Sequence, residues 1–330
     1  FHALYGTHKT LWNQARFYDT IQIMKQCPLF GVCGGCKYDF ASGAYREQKM
    51  SALPRINITD DPIWLPHGVR RRADFCFSGN KFGFFEAKTK NIVPVKHCQN
   101  LTDEINNILP EIASLPWSGS GSCLVTSCDN GIDIAITANV PYVTPEFRRA
   151  VVGCHAIRVT WNGTVIKQSE IPTVCFGNRC VSYPSGAFLQ PSVIGADTMR
   201  NMVVEYSQDF SHIADLFCGL GNFTFATNAD GFDVVGTGVK RDLFKNPLTV
   251  GMLNKYDCVI MDPPRAGADA QCRELVHSGV ARIIYISCNP NTFVRDMKTL
   301  TDGGYKLQTL IPLDQFTGAS HWELFSVFDK

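Results

Sequence analysis

In the first half of the chain, apolar residues come in short runs broken by turn signals. Ala73-Asp74-Phe75-Cys76-Phe77 is followed by Gly79-Asn80 and then by Lys81-Phe82-Gly83-Phe84-Phe85. Ile132-Asp133-Ile134-Ala135-Ile136 alternates in the same way. Runs of period two closed by turn residues predict an antiparallel sheet. The character changes near residue 190. Ile213-Ala214-Asp215-Leu216-Phe217 is a buried strand leading into a glycine turn. Cys258-Val259-Ile260-Met261 ends at Asp262-Pro263-Pro264, and Arg282-Ile283-Ile284-Tyr285-Ile286 ends at Ser287-Cys288-Asn289. Leu324-Phe325-Ser326-Val327-Phe328 is a last strand. Strands alternating with helices predict an α/β, doubly wound, Rossmann-like sheet, here preceded by a smaller, mainly β domain. Ligands of such sheets lie beyond the carboxyl ends of the strands, where these polar motifs fall. The chain has no internal repeat and no low-complexity tract.

Composition adds limits. At 330 residues and 45% hydrophobic, the chain is long enough for two cored domains. A formal net charge of +1 gives no nucleic-acid signal of its own, so RNA contact has to come from local basic runs. Val69-Arg70-Arg71-Arg72 and Phe147-Arg148-Arg149 are such runs. No stretch approaches a membrane-spanning helix. The chain starts at Phe1, so a natural start upstream is expected. Of the fourteen cysteines, Cys76, Cys175, Cys218 and Cys258 stand singly in apolar runs and read as small core residues. This usage fits a cytoplasmic, reducing location rather than a disulfide scaffold, with a monomer as the default.

Three stretches carry candidate chemistry. Asp215-Leu216-Phe217-Cys218-Gly219-Leu220-Gly221-Asn222 is a strand, a Gly-x-Gly turn and a helix start. Such a turn suits a nucleotide-like ligand or is an ordinary tight turn. Without a third glycine at Rossmann spacing or a Walker lysine, it disfavours NAD and ATP. Cys288 follows a buried strand and precedes a helix, a place expected to be exposed and electropositive and to lower a thiol's pKa; the alternative is one more core cysteine. Asp262 is held extended by the proline after it, or belongs to a tight turn. Glu323 alone reads as a surface residue before a strand. Cys27-x5-Cys33-x2-Cys36 with the distant Cys98 gives four thiolates, which suit zinc or a [4Fe–4S] cluster.

Together the motifs resemble the RNA uracil-5-methyltransferase family, whose members modify transfer RNA or large-subunit ribosomal RNA. The resemblance runs in order through Cys27-Pro28 to Cys36, Arg70-Arg71-Arg72, Cys98, Phe188-Leu189-Gln190, Asp215 to Asn222, Asp262 to Gly267, Ser287 to Asp296, and Asp314-Gln315-Phe316 to Glu323. It implies S-adenosylmethionine as methyl donor, Cys288 as nucleophile and Glu323 as general base. It implies that Gln190, Phe217, Asn222, Asp242 and Asp262 line the donor site, that Phe188 stacks on the target base, and that Arg70, Arg71 and Arg72 face the substrate. The cysteine spacing is similar to the cluster-bearing branch, so iron–sulfur is favoured over zinc, with a role in folding or RNA shaping. That branch points to ribosomal rather than transfer RNA. The expected domains are a remnant segment over 1–26, an iron–sulfur and RNA-binding β-rich domain over 27–187, and the methyltransferase domain over 188–330. The chain departs from the family after Asp233-Val234-Val235-Gly236, where an acid that holds the donor's ribose and a whole helix are expected and neither appears. That departure motivates a rival of another class, an RNA-binding protein without catalysis; a zinc-stabilised protein without methyltransferase activity is a further one.

Overall fold

The computed structural model describes residues 25–330, so most of the segment expected over 1–26 lies outside the described residues. The cysteine loop leads into helix α1 (Tyr45–Met50) and the short strand β1 (Ile63–Trp64). Next come β2 (Arg72–Ser78), β3 (Lys81–Phe85), β4 (Ile92–Val93), helix α2 (Asp103–Ala113), β5 (Ser120–Cys128), β6 (Gly131–Ala138), helix α3 (Pro145–Val152), β7 (Arg158–Trp161) and β8 (Thr164–Gln168). They form a seven-stranded sheet in the order β4-β3-β2-β5-β6-β7-β8. The runs 73–77, 81–85 and 132–136 are three of its strands. Alternation explains its core: Phe75 and Phe77 point the same way from β2 and pack with Phe82, Trp117 and Trp161. Ile105, Leu109 and Ile112 of α2 and Phe147 of α3 close this layer.

A hairpin of β9 (Thr173–Phe176) and β10 (Arg179–Ser182) leads to helix α4 (Val193–Ser207), capped by Ser192 Oγ accepting from Gly195 N at 3.1 Å. The second half then runs β11 (Ile213–Leu216), α5 (Asn222–Thr227), β12 (Asp230–Asp233), β13 (Val239–Lys240), α6 (Val250–Leu253), β14 (Cys258–Met261), α7 (Asp269–Val276), β15 (Arg282–Ser287), α8 (Pro290–Asp302), β16 (Lys306–Asp314) and β17 (Glu323–Asp329). The eight-stranded sheet has the order β1-β16-β17-β15-β14-β11-β12-β13. Its central strands are apolar on both faces, as a sheet covered on both sides must be. Val259, Met261, Ile283 and Tyr285 face one core with Leu275 of α7 and Phe293 of α8. Cys258, Ile260, Ile284 and Ile286 face the other with Met199 and Val203 of α4.

Two expectations are corrected. The segment expected to belong wholly to the β-rich domain crosses to the second sheet: β1 pairs in parallel with β16, and Met50, Leu53, Ile56 and Trp64 pack on its core. These apolar residues are too few to close a layer alone and find cover only there. Cys175 is not a free core thiol but is joined to Cys180 across the β9–β10 hairpin, where the two residues are register partners. Cys76, Cys218 and Cys258 are free and buried as expected. Among the described residues, no helix is long and apolar enough to cross a membrane.

Candidate active site

Strand register builds the reactive end. The antiparallel β15–β17 ladder runs from Arg282 opposite Asp329 to Ser287 opposite Leu324. Cys288 follows Ser287 and Glu323 precedes Leu324, so both stand at this end of the ladder, and the Glu323 charge acts on the Cys288 thiol. Strand β14 is parallel to β15, so Asp262 leaves the sheet at the same edge. Strand β16 pairs Leu313 with Glu323 and delivers Gln315 there as well. The Cys288 turn is fixed by α8, whose Pro290 stands in the first turn and whose Asn289 side chain accepts from Asn291 N.

A chain of hydrogen bonds joins these groups. Gln190 Nε2 donates to Asp262 Oδ2 at 2.9 Å. Gln315 Nε2 donates to Gln190 Oε1 at 3.0 Å and to Glu323 Oε2 at 2.6 Å. Gln315 lies inside a stretch the motifs picked out, but nothing local in the sequence marked it as the link; only the β16–β17 pairing does. Buried Glu323 Oε1, Gln315 Oε1 and Asp215 Oδ1 have no partner. Such orphaned acceptors in a cleft suit a ligand that brings donors or positive charge.

Electrostatics at this end are acidic. Burial, then the charge of Asp262, hold the Glu323 carboxyl well above the usual range, against the Gln315 hydrogen bond. Burial and the Asp215 charge push Asp262 up to about 7. Burial likewise pushes Asp215 up to about 7, although Thr224 Oγ1 donates to it at 2.6 Å. The Cys288 thiol, expected to be lowered, is instead pushed up to about 12, first by burial and then by Glu323 and Asp262, with Arg265 opposing. The helix start is present, but burial of the sulfur, with the two acids beside it, outweighs it.

The donor edge is built differently. Phe217 sits at φ +63°, and its ring centroid is 5.4 Å from that of Phe244. Asn222 is turned toward α4, accepting from Arg200 at 3.4 Å and donating to Ala196 O at 3.4 Å. Asp242 caps its own turn through the amides of Phe244 and Lys245, and the Lys245 side-chain hydrogen bond first, then these amides and the Lys245 charge, hold it below its usual range. Parallel β12 and β13 are joined by residues 234–238 alone, whereas a parallel crossover takes about a dozen residues or more. Gly236, at φ +107°, lets this short link cross the glycine turn: a Cβ there would come 1.7 Å from Gly219 O. Val234, Val235, Val239 and Phe244 are left exposed, as apolar residues are where a covering helix is absent. One acid ahead of this link, Asp233, reaches the glycine turn. Asp233 Oδ2 accepts from Gly219 N at 2.9 Å.

The family model described as tRNA (Uracil-5-)-methyltransferase matches residues 240–329. An RNA methyltransferase of Agrobacterium fabrum is 32% identical over 346 residues, covering 91% of this chain and 83% of the relative. The chain belongs to the RNA uracil-5-methyltransferase family. It is therefore an S-adenosylmethionine-dependent RNA methyltransferase. The 23S rRNA (uracil(1939)-C(5))-methyltransferase of Klebsiella pneumoniae is 29% identical over 357 residues, covering 92% of this chain and 81% of that one. The fold is similar to that of the Pyrococcus abyssi tRNA (uracil-54, C5)-methyltransferase solved with S-adenosyl-L-homocysteine, at a TM-score of 0.65 and 19% identity over 86% of this chain and 81% of that one. The alignment with the Agrobacterium relative spans 346 residues yet takes in 91% of a 330-residue chain, so that family member holds residues this one lacks.

Two features expected of a family member remain to be placed. Cys27, Cys33, Cys36 and Cys98 share one neighbourhood: burial first, then the other thiols, push Cys36 up to about 12, and Cys98 is raised for the same reasons. Among the described residues, no three His, Cys, Asp or Glu side chains are close enough to hold a metal ion as they stand. The surroundings nonetheless suit an anionic four-thiolate group. Asn100 Nδ2 donates to Cys36 Sγ at 3.2 Å, Gly35 N donates to Cys33 Sγ at 3.4 Å, and the Arg70 charge acts on Cys36 and Cys98 while its buried Nε has no partner. The arginine run expected to face the substrate packs in part into the protein. Arg70 is half-buried beside these cysteines, and buried Arg71 donates to Gln190 O at 3.2 Å. Arg72 donates to Leu189 O and Gly186 O, and its guanidinium lies 5.7 Å from the ring centroid of Phe188. The run braces residues 186–190 from beneath, and Phe188 is the group left facing solvent, 68% exposed.

Proposed function

We propose that this enzyme methylates carbon 5 of a uridine in large-subunit ribosomal RNA, with Cys288 as nucleophile and Glu323 as general base. The reading is supported by Cys288 and Glu323 lying at the same end of the β15–β17 ladder, near enough for the Glu323 and Asp262 charges to act on the thiol, with Asp262, Gln190, Gln315 and Glu323 joined by hydrogen bonds. S-adenosylmethionine, when bound, supplies a methyl group activated on a positively charged sulfur. Gln190, Phe217, Asn222, Asp242 and Asp262 line its site, with Asp233 beside the glycine turn, and the three buried acids suit its cationic groups. Burial favours the protonated thiol of Cys288 and the protonated carboxyls of Glu323 and Asp262. Positive charge at the donor site offsets Asp262 and Glu323, so thiolate and carboxylate form where they are needed. The Cys288 thiolate adds to carbon 6 of the uracil, and the electron pair moves to carbon 5, which takes the methyl group. Glu323 then removes the carbon-5 proton, and the Cys288–carbon 6 bond breaks to restore the ring. The uridine has to leave its stack to reach the sulfur, and exposed Phe188 offers a face to receive it. Cys27, Cys33, Cys36 and Cys98 would hold a [4Fe–4S] cluster, with zinc as the rival. The enzyme works as a cytoplasmic monomer.

The test is incubation with S-adenosylmethionine and large-subunit ribosomal RNA carrying 5-fluorouridine, in which fluorine replaces the proton Glu323 removes. A gel-stable adduct, absent in Cys288→Ala, is expected. An adduct with transfer RNA alone overturns the substrate. One observation favours a second reading, an RNA-binding protein without turnover: the short 234–238 link across the glycine turn. RNA binding with no adduct and no donor binding would establish it.

A further inference from the structure

The loop between β16 and β17 carries Gln315 at one end and Glu323 at the other, and its middle is held by the cysteine loop. Gly318 O accepts from Lys37 N at 2.7 Å and Tyr38 N at 2.8 Å. Thr317 O accepts from Asn100 Nδ2 at 3.0 Å, and the same Nδ2 donates to Cys36 Sγ at 3.2 Å. Gly318 has φ +79°, and a Cβ there would come 2.8 Å from Cys36 Sγ, so the two loops touch with no space between them. On the other side, Lys49 Nζ donates to Phe316 O at 2.9 Å and Ala319 O at 2.7 Å and pairs with Asp314 at 2.7 Å. The loop is therefore held by several ties, through the Lys37 and Tyr38 amides, Lys49, Asn100 and Tyr45, whose Oη accepts from Gly318 N at 3.0 Å, and of these side chains only Asn100 also bonds a cysteine sulfur.

We infer that Asn100 is a positioning residue that ties Cys36 to the loop bearing Gln315 and Glu323, so that the cysteine loop sets where the general base stands. The inference rests on the roles proposed for Gln315 and Glu323. It assigns the cysteine loop a part in methyl transfer, beyond folding or RNA shaping. The amide is suited to this: one nitrogen donates to both sulfur and carbonyl, which an apolar or acidic side chain cannot do. The Lys49 clamp remains when Asn100 is truncated, so the loop loosens without losing its place in the fold.

The experiment compares intact wild type with Asn100→Ala, both assayed for bound iron and zinc, on large-subunit ribosomal RNA with S-adenosylmethionine. Metal content, RNA KM and S-adenosylmethionine binding are expected to stay at wild-type levels. The kcat is expected to fall by about 10- to 100-fold, the effect of a misplaced catalytic group. Amide exchange should accelerate over residues 316–322 and not over 287–296. Gly318→Ala, which pushes the loops apart from the other side, should lower kcat in the same way. An unchanged kcat, or faster exchange spread evenly over both stretches, overturns the inference. Where Asn100→Ala fails to fold or loses its metal, the wild type decides: chelation must accelerate exchange at 316–322 together with 27–38, and protection kept at 316–322 overturns the coupling. A Cys288→Ala control separates the two layers. Adduct lost there, with normal turnover in Asn100→Ala, removes the coupling and leaves the reaction standing.

Discussion

The middle and the edge of the catalytic sheet are built to different standards. At β14, β15 and β17 every strand is covered on both faces, and the register brings Asp262, Cys288 and Glu323 to one edge. At β12 and β13 two short strands are joined by five residues, 234–238, and apolar side chains stand in solvent. The reactive half tolerates no slip, because a one-residue shift would turn each of its side chains to the other face. The donor half can lose a covering element and keep its pairing, because an edge strand has only one neighbour to satisfy.

The largest effect that could break this comparison is at Cys288. Cys288→Ala should abolish turnover and the 5-fluorouridine adduct, read on a denaturing gel. Glu323→Gln should cut turnover by about 10²- to 10⁴-fold while the adduct builds up on ordinary uridine, since addition survives and proton removal does not. Equal loss of adduct in both would place Glu323 before the addition step. At the edge, Asp233→Ala should weaken S-adenosylhomocysteine binding on the order of tenfold by calorimetry, the scale of a hydrogen bond to a charged group. Unchanged affinity would detach Asp233 from the donor site.

Two smaller effects sharpen the electrostatic side. Thiolate and carboxylate must both be ionised to act, and burial raises both groups. The kcat/KM should therefore climb with pH well past the ordinary carboxylate range, while kcat, measured with the cationic donor bound, climbs at lower pH. Coincident profiles would remove the donor's charge from the account. The folded pKa of Asp262 is raised to about 7, so the stability it brings is present below the unfolded carboxylate range of about 4 and is lost as pH rises to 7 and beyond. Asp262→Asn should melt higher than wild type at pH 8, match it near pH 4, and lose activity at both. A lower melting point at pH 8 would mean that Asp262 is needed as a charge by the fold itself.

What could be read along the chain was what depends on neighbours in sequence. The runs at 73–77, 258–261 and 282–286 became strands because alternation and β-branched residues act locally. That Asp262 and Cys288 stand at strand carboxyl ends was legible because the turn chemistry that follows marks such an end. The shortfall after Gly236 was legible too, since a parallel crossover needs a minimum length of chain. Contacts between distant segments could not be read. The thiol environment of Cys288 depends first on its burial and then on Glu323, thirty-five positions away, and on Asp262, none of which the helix start next to it in sequence reveals. The arginine run looked exposed because charge usually is, yet tertiary packing turned Arg70 toward the cysteines and Arg71 under Gln190. The link from Asn100 through Gly318 to the base-bearing loop has no local signature either. The sequence by itself determined the strands and the order of the motifs along the chain. Only the tertiary structure decided which of those groups share a low-dielectric pocket, because burial and pairing depend on segments far apart in the chain.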